Sequence, residues 1–309
     1  MHMSYQHPLT VPQPMDYAAV QGLIAGLCGR YRGLRPVTVG ASLLGRQLQA
    51  LVLSAGHGGN RRRVLIAAAF HAQEWLTALC ALRLCEELCR AGKARLPLCD
   101  LAVEKILEER ELWFLPLVNP DGVEIALHGS VAAGSYAAFV AANGGDTPGL
   151  WQANARGVDI NHNFNAGWAQ MQALAAENHR DRPGPRQYSG PSPESEPETR
   201  AVTDLCRKYG FRHLVALHSQ GEEIYWRYGD DTPPQSRLMA QVLGEASGYT
   251  VADPAGMAAY GGCKDWFIRC FHRPGFTIEL GKGENPLPLA EFEAIYAKAR
   301  EMLVLAAVL

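Results

Sequence analysis

"VLIAAAFHAQEW", Val64 to Trp75, decides how the rest of the chain is read. The apolar run Val64 to Phe70 has the composition of a strand buried on both faces, as in a parallel sheet covered by helices. It stops abruptly at His71, with Glu74 three positions on. In open α/β sheets, ligand sites lie outside the carboxyl ends of the strands, where side chains converge without disturbing the core. His71 and Glu74 therefore stand where a site is expected.

Upstream, "PVTVGAS" and "RQLQALVLSAG" read as β-rich segments around the short turn "LLG". Downstream, residues 73–91 recur apolar at helical spacing, and Gly92 supplies a stop. "ELWFLPLVNPDG" is another apolar strand, ending in an Asn-Pro-Asp-Gly turn, and "RHLVALHS" and "GFTIELG" repeat the pattern of buried strand and polar end. The Pro-rich loop "RDRPGPRQYSGPSPESEPETR" leads into a helix, with Ser195 and Glu198 at capping-box spacing. Further helices are expected at "SRLMAQVLGEASG", at "CKDWFIRCF" and from Leu289 onward. This alternation predicts a single α/β domain over residues 1–309, with residues 1–16 as an N-terminal extension. Its sheet is mixed, mainly parallel, with helices on both faces.

Composition narrows the partners. The 309 residues are 48% apolar with a formal charge of -2, which gives no reason to expect nucleic acid or a membrane surface as partner. A small molecule or peptide fits better. "MHMSYQHPLTVPQP" has no apolar core of signal-peptide type, and no run reaches the roughly 18 apolar residues of a membrane span, so a cytoplasmic protein is expected. The eight cysteines contain no CxxC pair and read as reduced thiols serving as small core residues.

Three buried strands end in His71, His218 and Glu279. A catalytic zinc site needs nitrogen or oxygen ligands in near-tetrahedral array with one position left for water. His71, Glu74 and His218 satisfy that requirement. By itself the H-x-x-E pair is weak evidence and reads first as a helix-start histidine and a solvated glutamate; the second histidine and Glu279 at equivalent strand ends reverse that reading toward a metal. Asp159 in "GVDINHNF" can fix the His71 tautomer through the ring nitrogen that does not bind the metal, or serve as a turn aspartate. Glu279 ends an otherwise apolar strand, where a carboxylate costs several kcal/mol unless paired or functional. A general base beside zinc-bound water is the economical explanation.

Taken in order, "FHAQEW", "LVNPDG", "ARGVDINHNF", "SGPSPESEPET", "ALHSQG", "KDW" and "FTIEL" resemble the zinc metallocarboxypeptidases of the carboxypeptidase A type, over most of the chain from about Tyr17. The resemblance implies one Zn²⁺ per chain, held by His71, Glu74 and His218, with Glu279 promoting attack of the metal-bound water on a peptide carbonyl. It also implies an arginine for the oxyanion. In animal members that arginine follows a tryptophan, yet Gln152 follows Trp151 here. Arg156 is the nearest available cation and takes the role, with a structural loop arginine as the alternative.

Other departures share one direction. The family's Asn-Arg carboxylate clamp survives as Asn161, with His162 in place of the arginine, and the H-x-R-E arginine is Gln73. Neither substitute reproduces a planar bidentate fork. The capping tyrosine aligns with Met257, and Tyr260 is close enough to substitute. A bacterial branch that cuts between γ-D-glutamate and meso-diaminopimelate in wall peptides is more similar, in "FHAQEW", in the histidine of "DINHNF" and in "HSQGEEIYW". Its substrate, a muropeptide stem, carries an extra ammonium and carboxylate. Glu222, Glu223, His162 and Lys264 are candidates to receive them, the glutamate pair reading equally as a solvated turn. An ordinary carboxypeptidase releasing C-terminal residues is the alternative function. A catalytically dead binding module would have been expected to lose Glu279.

Overall fold

The computed structural model describes residues 7–55 and 61–309; residues 1–6 of the N-terminal stretch and Gly56 of the second β-rich segment lie outside them. The described chain opens with α1 (Tyr17–Arg30), β1 (Leu34–Ala41) and β2 (Gln47–Leu53), and β3 (Arg62–Ala68) then leads into α2 (Leu76–Ala94). A small hairpin, β4 (Pro97–Leu98) and β5 (Leu101–Ala102), and α3 (Val103–Glu109) bring it back to β6 (Arg110–Leu115). Helices α4 (Pro120–His128), α5 (Ala137–Ala142) and α6 (Trp168–Glu177) interrupt a long loop region before α7 (Pro197–Tyr209), β7 (His213–His218) and β8 (Glu223–Tyr225). Then come α8 (Gln235–Ser247), β9 (Thr250–Ala252), α9 (Cys263–Phe271), β10 (Gly275–Glu279) and α10 (Phe292–Ala306).

Eight strands form one sheet in the order β1-β2-β6-β3-β7-β10-β8-β9. The centre, β6, β3, β7 and β10, is parallel; β2 and β8 flank it antiparallel. This is the mixed, mainly parallel α/β sheet expected from the apolar strands. Residues alternate across it with period two: Val64, Ile66 and Ala68 join the core under α2 and α10, while Leu65 and Ala67 pack with Val202 and Leu205 of α7 and Phe267 of α9. With both faces covered, β3 needs apolar residues throughout. Its polar successors begin where the cover ends.

Three local expectations are corrected. Helix α2 does not stop at Gly92 but runs on to Ala94, where Arg95 takes the left-handed conformation (φ 53°). Gly92 instead lets α3 approach, since a Cβ there would lie 3.1 Å from Leu107. Asn-Pro-Asp-Gly is not a turn but the start of α4: Asn119 accepts a hydrogen bond from Gly122 N–H at 3.0 Å, and Pro120 occupies the first helical position. The capping box at Ser195 and Glu198 does not form, because Glu196 is the cap residue of α7, and Glu198 instead accepts the Leu43 N–H at 2.9 Å.

That carboxyl has a consequence for stability. Glu198 is fully buried, and burial, with the nearby charges of Asp121 and Glu196, raises it from its ordinary 4.5 to about 7 against the pull of the Leu43 N–H. Between those two values the unfolded chain releases a proton that the folded chain keeps, so stability is fully present below about pH 4.5 and falls as pH rises through 7. The loss is roughly 3 kcal/mol at most, from about 1.4 kcal/mol per pKa unit. Glu198→Gln is expected to melt several degrees above the wild type at pH 8 and alongside it at pH 5. Parallel melting curves at both pH values would show that Glu198 is ionised in the folded protein.

Residues before α1 are held by α2. Buried Glu86 accepts hydrogen bonds from Leu9 N–H (2.8 Å), Thr10 N–H (2.9 Å) and the Thr10 hydroxyl (2.6 Å), which offset the cost of burying its charge. All eight cysteines are free thiols. Among the described residues no helix is long and apolar enough to cross a membrane.

Candidate active site

The carboxyl ends of β3, β7 and β10 bring the singled-out residues together. Beyond β3, His71 caps a single 3₁₀ turn, Ala72–Glu74, which folds Glu74 back toward its histidine. His71 Nδ1 lies 2.7 Å from Glu74 Oε1, and His218 Nδ1, at the end of β7, lies 3.0 Å from Glu74 Oε2. The two Nδ1 atoms are 3.3 Å apart. Thr77 locks the turn by donating to the Glu74 carbonyl at 2.7 Å and accepting from Ala69 N–H at 3.0 Å. Phe70 stacks on the His218 ring with centroids 5.2 Å apart and fixes its plane.

These groups are all buried, and their protonation reflects the crowding. Burial opposes charge on His71, but Glu74 and Asp159 outweigh it and hold its pKa well above 6.5. Burial carries His218 below 6.5 despite Glu74. Burial also opposes ionisation of Glu74, yet the two histidines bring it down to about 2. Two imidazole nitrogens and one carboxylate thus face a common centre, their ligand atoms all within 4.8 Å of one another. That donor set fits zinc with a coordination position left over.

Behind the site, Asp159 Oδ1 is 3.2 Å from His71 Nε2, a charge contact without hydrogen-bond alignment. Asp159 Oδ2 accepts from Gln152 Nε2 at 2.8 Å and from Gln187 N–H at 3.0 Å. Burial would raise the Asp159 carboxyl, but His162 and His71 lead the interactions that hold it well below the ordinary range. Gln152 therefore joins the support of His71. Arg156 is half exposed and has Glu196 3.7 Å from its Nε, and among the described residues it makes no hydrogen bond or ion pair to the His-Glu-His set.

Glu279 ends β10 in register with His218 on one side and Glu223 on the other. Among the described residues no hydrogen bond ties its carboxylate. Burial, then the charge of Glu74, pushes its pKa well above 4.5, with His71 pulling down and Glu223 adding to the rise. The two adjacent glutamates separate: Glu222 is bound by Lys298 (2.6 Å) and Lys282 (3.2 Å), whereas Glu223 stands opposite Glu279 and accepts from the Tyr225 hydroxyl at 2.5 Å.

The remaining candidates form a second cluster. Asn161 Oδ1 accepts the Cys263 N–H at the start of α9 (3.0 Å), which directs its amide NH₂ elsewhere. His162 Nδ1 is 3.1 Å from the Tyr260 carbonyl and so carries the proton in the neutral ring, leaving Nε2 for another partner. The Tyr260 ring is seated over Gly167, where a Cβ would lie 2.6 Å from its Cδ1, and the Tyr260 N–H donates to Met257 O at 3.2 Å. Lys264 is buried, paired closely with Asp265 and donating to the Arg227 carbonyl at 2.8 Å.

Known proteins share this architecture. The zinc carboxypeptidase family profile matches residues 24–303. The chain belongs to the zinc carboxypeptidase family. It is 35% identical over 289 residues to gamma-D-glutamyl-L-diamino acid endopeptidase 1 of Lysinibacillus sphaericus, covering 93% of this chain and 70% of that protein. Mouse carboxypeptidase A4 is 28% identical, over 79% of this chain and 56% of its own. Bovine thrombin-activatable fibrinolysis inhibitor, 20% identical, superposes with a TM-score of 0.74 over 96% of this chain and 97% of that one, which shows the fold.

As a member of that family the protein is a zinc metallopeptidase binding one zinc ion, and His71, Glu74 and His218 are its candidate site. Two residues not singled out from the sequence stand against candidates that were, Tyr225 against Glu223 and Asp265 against Lys264. For Asp265 the signal was its place inside "KDW", one residue after Lys264. For Tyr225 it was its place two residues after Glu223 on one strand, hence on the same face.

Proposed function

We propose that this zinc carboxypeptidase relative hydrolyses the bond between γ-D-glutamate and meso-diaminopimelate in peptidoglycan stem peptides. The observation that carries the reading is the buried Lys264–Asp265 pair, with His162 acting on Asp265. A side chain ending in both ammonium and carboxylate is complementary to a desolvated pair of opposite charges, whereas an apolar side chain can exchange no hydrogen bond with it. The name of the Lysinibacillus sphaericus relative, an endopeptidase for gamma-D-glutamyl-L-diamino acid bonds, supports the same reading. Eight free cysteines support a cytoplasmic site of action, where thiols stay reduced.

In this mechanism His71, Glu74 and His218 hold the metal. A zinc ion there supplies a Lewis acid that polarises the scissile carbonyl and makes a water acidic near neutral pH. Glu279 takes the proton of the attacking water and delivers it to the leaving amine of diaminopimelate. Asp159 and Gln152 keep the His71 ring oriented. The Asn161 amide NH₂ donates to the carboxylate of the residue being released, next to His162, whose ring the Tyr260 carbonyl holds in place.

The test is a peptide panel: L-Ala-γ-D-Glu-meso-diaminopimelate, the same peptide with lysine, and a blocked dipeptide ending in phenylalanine. Lysine lacks only the distal carboxylate, so the first pair isolates that contact. A polar pocket rejects ligands that leave its groups unpaired by as much as roughly ten-thousandfold. The diaminopimelate peptide is expected to have the highest kcat/KM and the phenylalanine peptide the lowest. If the phenylalanine peptide is best, the protein is an ordinary carboxypeptidase and the wall-peptide reading fails.

A further inference from the structure

At the opposite end of the sheet, a cavity of about 340 Å³ is lined by Arg61, Arg62, Arg63, Arg212, Arg273 and Gln235, and among the described residues no acid lines it. The arginines come from three separate places: the start of β3, the turn before β7 and the turn before β10. The backbone clamps them together, since Arg212 N–H donates to the Arg63 carbonyl at 2.7 Å and Leu214 N–H to the Pro274 carbonyl at 3.1 Å. Only part of the charge is matched. Arg63 pairs with Glu111 at 3.0 Å and Arg61 Nε donates to the Glu108 carbonyl at 3.1 Å, while Arg273 donates to the carbonyls of Gly210 and Phe211 at 2.8 and 2.7 Å. The buried neighbour His213 is held down at about 4, first by burial and then also by Arg212 and Arg110.

We infer that this cavity is a binding site for a diphosphate group, separate from the peptidase centre. Guanidinium forks recognise phosphate oxygens by paired hydrogen bonds, and Arg62, Arg212 and Arg273, none paired with an acid among the described residues, favour an anion carrying more than one charge. The volume falls within the range of small-ligand sites, roughly 300–1,000 Å³. The site lies a strand length from the metal ligands: β7 starts beside Arg212 and ends at His218, about 20 Å away at roughly 3.3 Å per residue. A ligand there is not the substrate. Its effect is to relieve repulsion among the strand starts, and so to stabilise the fold by mass action.

Thermal melting and calorimetric titration of the full chain with sodium pyrophosphate, ADP and sodium chloride at matched ionic strength test this. Pyrophosphate is expected to raise Tm saturably at millimolar concentration. Arg62→Ser combined with Arg212→Ser, two exposed side chains outside the catalytic machinery, is expected to weaken binding at least tenfold while peptidase activity stays within twofold. ADP binding as well as pyrophosphate identifies a nucleotide source; pyrophosphate binding alone identifies the free anion, and either outcome supports a diphosphate site. The inference is overturned if sodium chloride reproduces the shift, or if the double variant binds as tightly as the wild type. Should the double variant not fold, Arg62→Ser alone serves, with a threefold or greater loss expected and unchanged affinity overturning the site.

Discussion

Glu279→Gln is expected to lower kcat by about a hundred- to ten-thousandfold, the usual worth of a general acid-base group, with zinc content and melting temperature unchanged. The expectation rests on where the carboxylate sits. Glu279 is the last residue of β10, in register with His218 and opposite Glu223, so the strand carries it to the metal ligands without any hydrogen bond of its own to lose. An amide of the same shape keeps the packing and removes a negative charge from beside Glu74, a change the fold tolerates. What it removes is the ability to accept a proton. Steady-state kinetics with metal analysis of the same preparation decide the matter, and a variant turning over within a few-fold of the wild type would take Glu279 out of the proton-transfer role.

The central strands and the convergence of His71, Glu74, His218 and Glu279 were legible because parallel strands covered on both faces admit no polar residue until they leave the core. A histidine or glutamate directly after such a run is then informative by itself. Asp159 was legible for a related reason, as an acid that a metal-binding histidine needs behind it. Side-chain direction was not. Glu222 and Glu223 are neighbours, and which of them meets Glu279 is set by the antiparallel register between β8 and β10, a contact between residues far apart in the chain. Local signals also failed where a distant partner won. Ser195 and Glu198 have capping-box spacing, but the Leu43 N–H, 155 residues away, takes the Glu198 carboxylate. Gly92 looked like a helix stop until α3 supplied the reason for its missing side chain. Lys264 was singled out as a candidate for the substrate's charged groups, but its pairing with Asp265, and their burial beside one another, depend on α9 packing under the sheet.

His218→Ala is expected to abolish tight zinc binding while the sheet stays intact. His218 is one of three candidate ligands, and it is buried at the end of a strand paired on both sides by β3 and β10, with a relative exposure of 1%. The backbone at this position is therefore fixed by its neighbours, and truncation leaves a small gap beside Phe70 rather than a broken strand. With His218 gone, Glu74 and His71 offer a two-residue set, and water must complete the coordination. Removing a mere outer partner of a metal ligand costs roughly ten- to hundredfold in affinity, so Asp159→Asn sets the scale and His218→Ala must exceed it. Elemental analysis after dialysis against a graded series of chelator concentrations ranks the two variants against the wild type. The wild type is expected to hold one zinc per chain, Asp159→Asn to release it at intermediate chelator, and His218→Ala to hold none. Full occupancy in His218→Ala would remove that histidine from the ligand set, and with it the geometric argument that β7 and β3 meet in order to bind a metal.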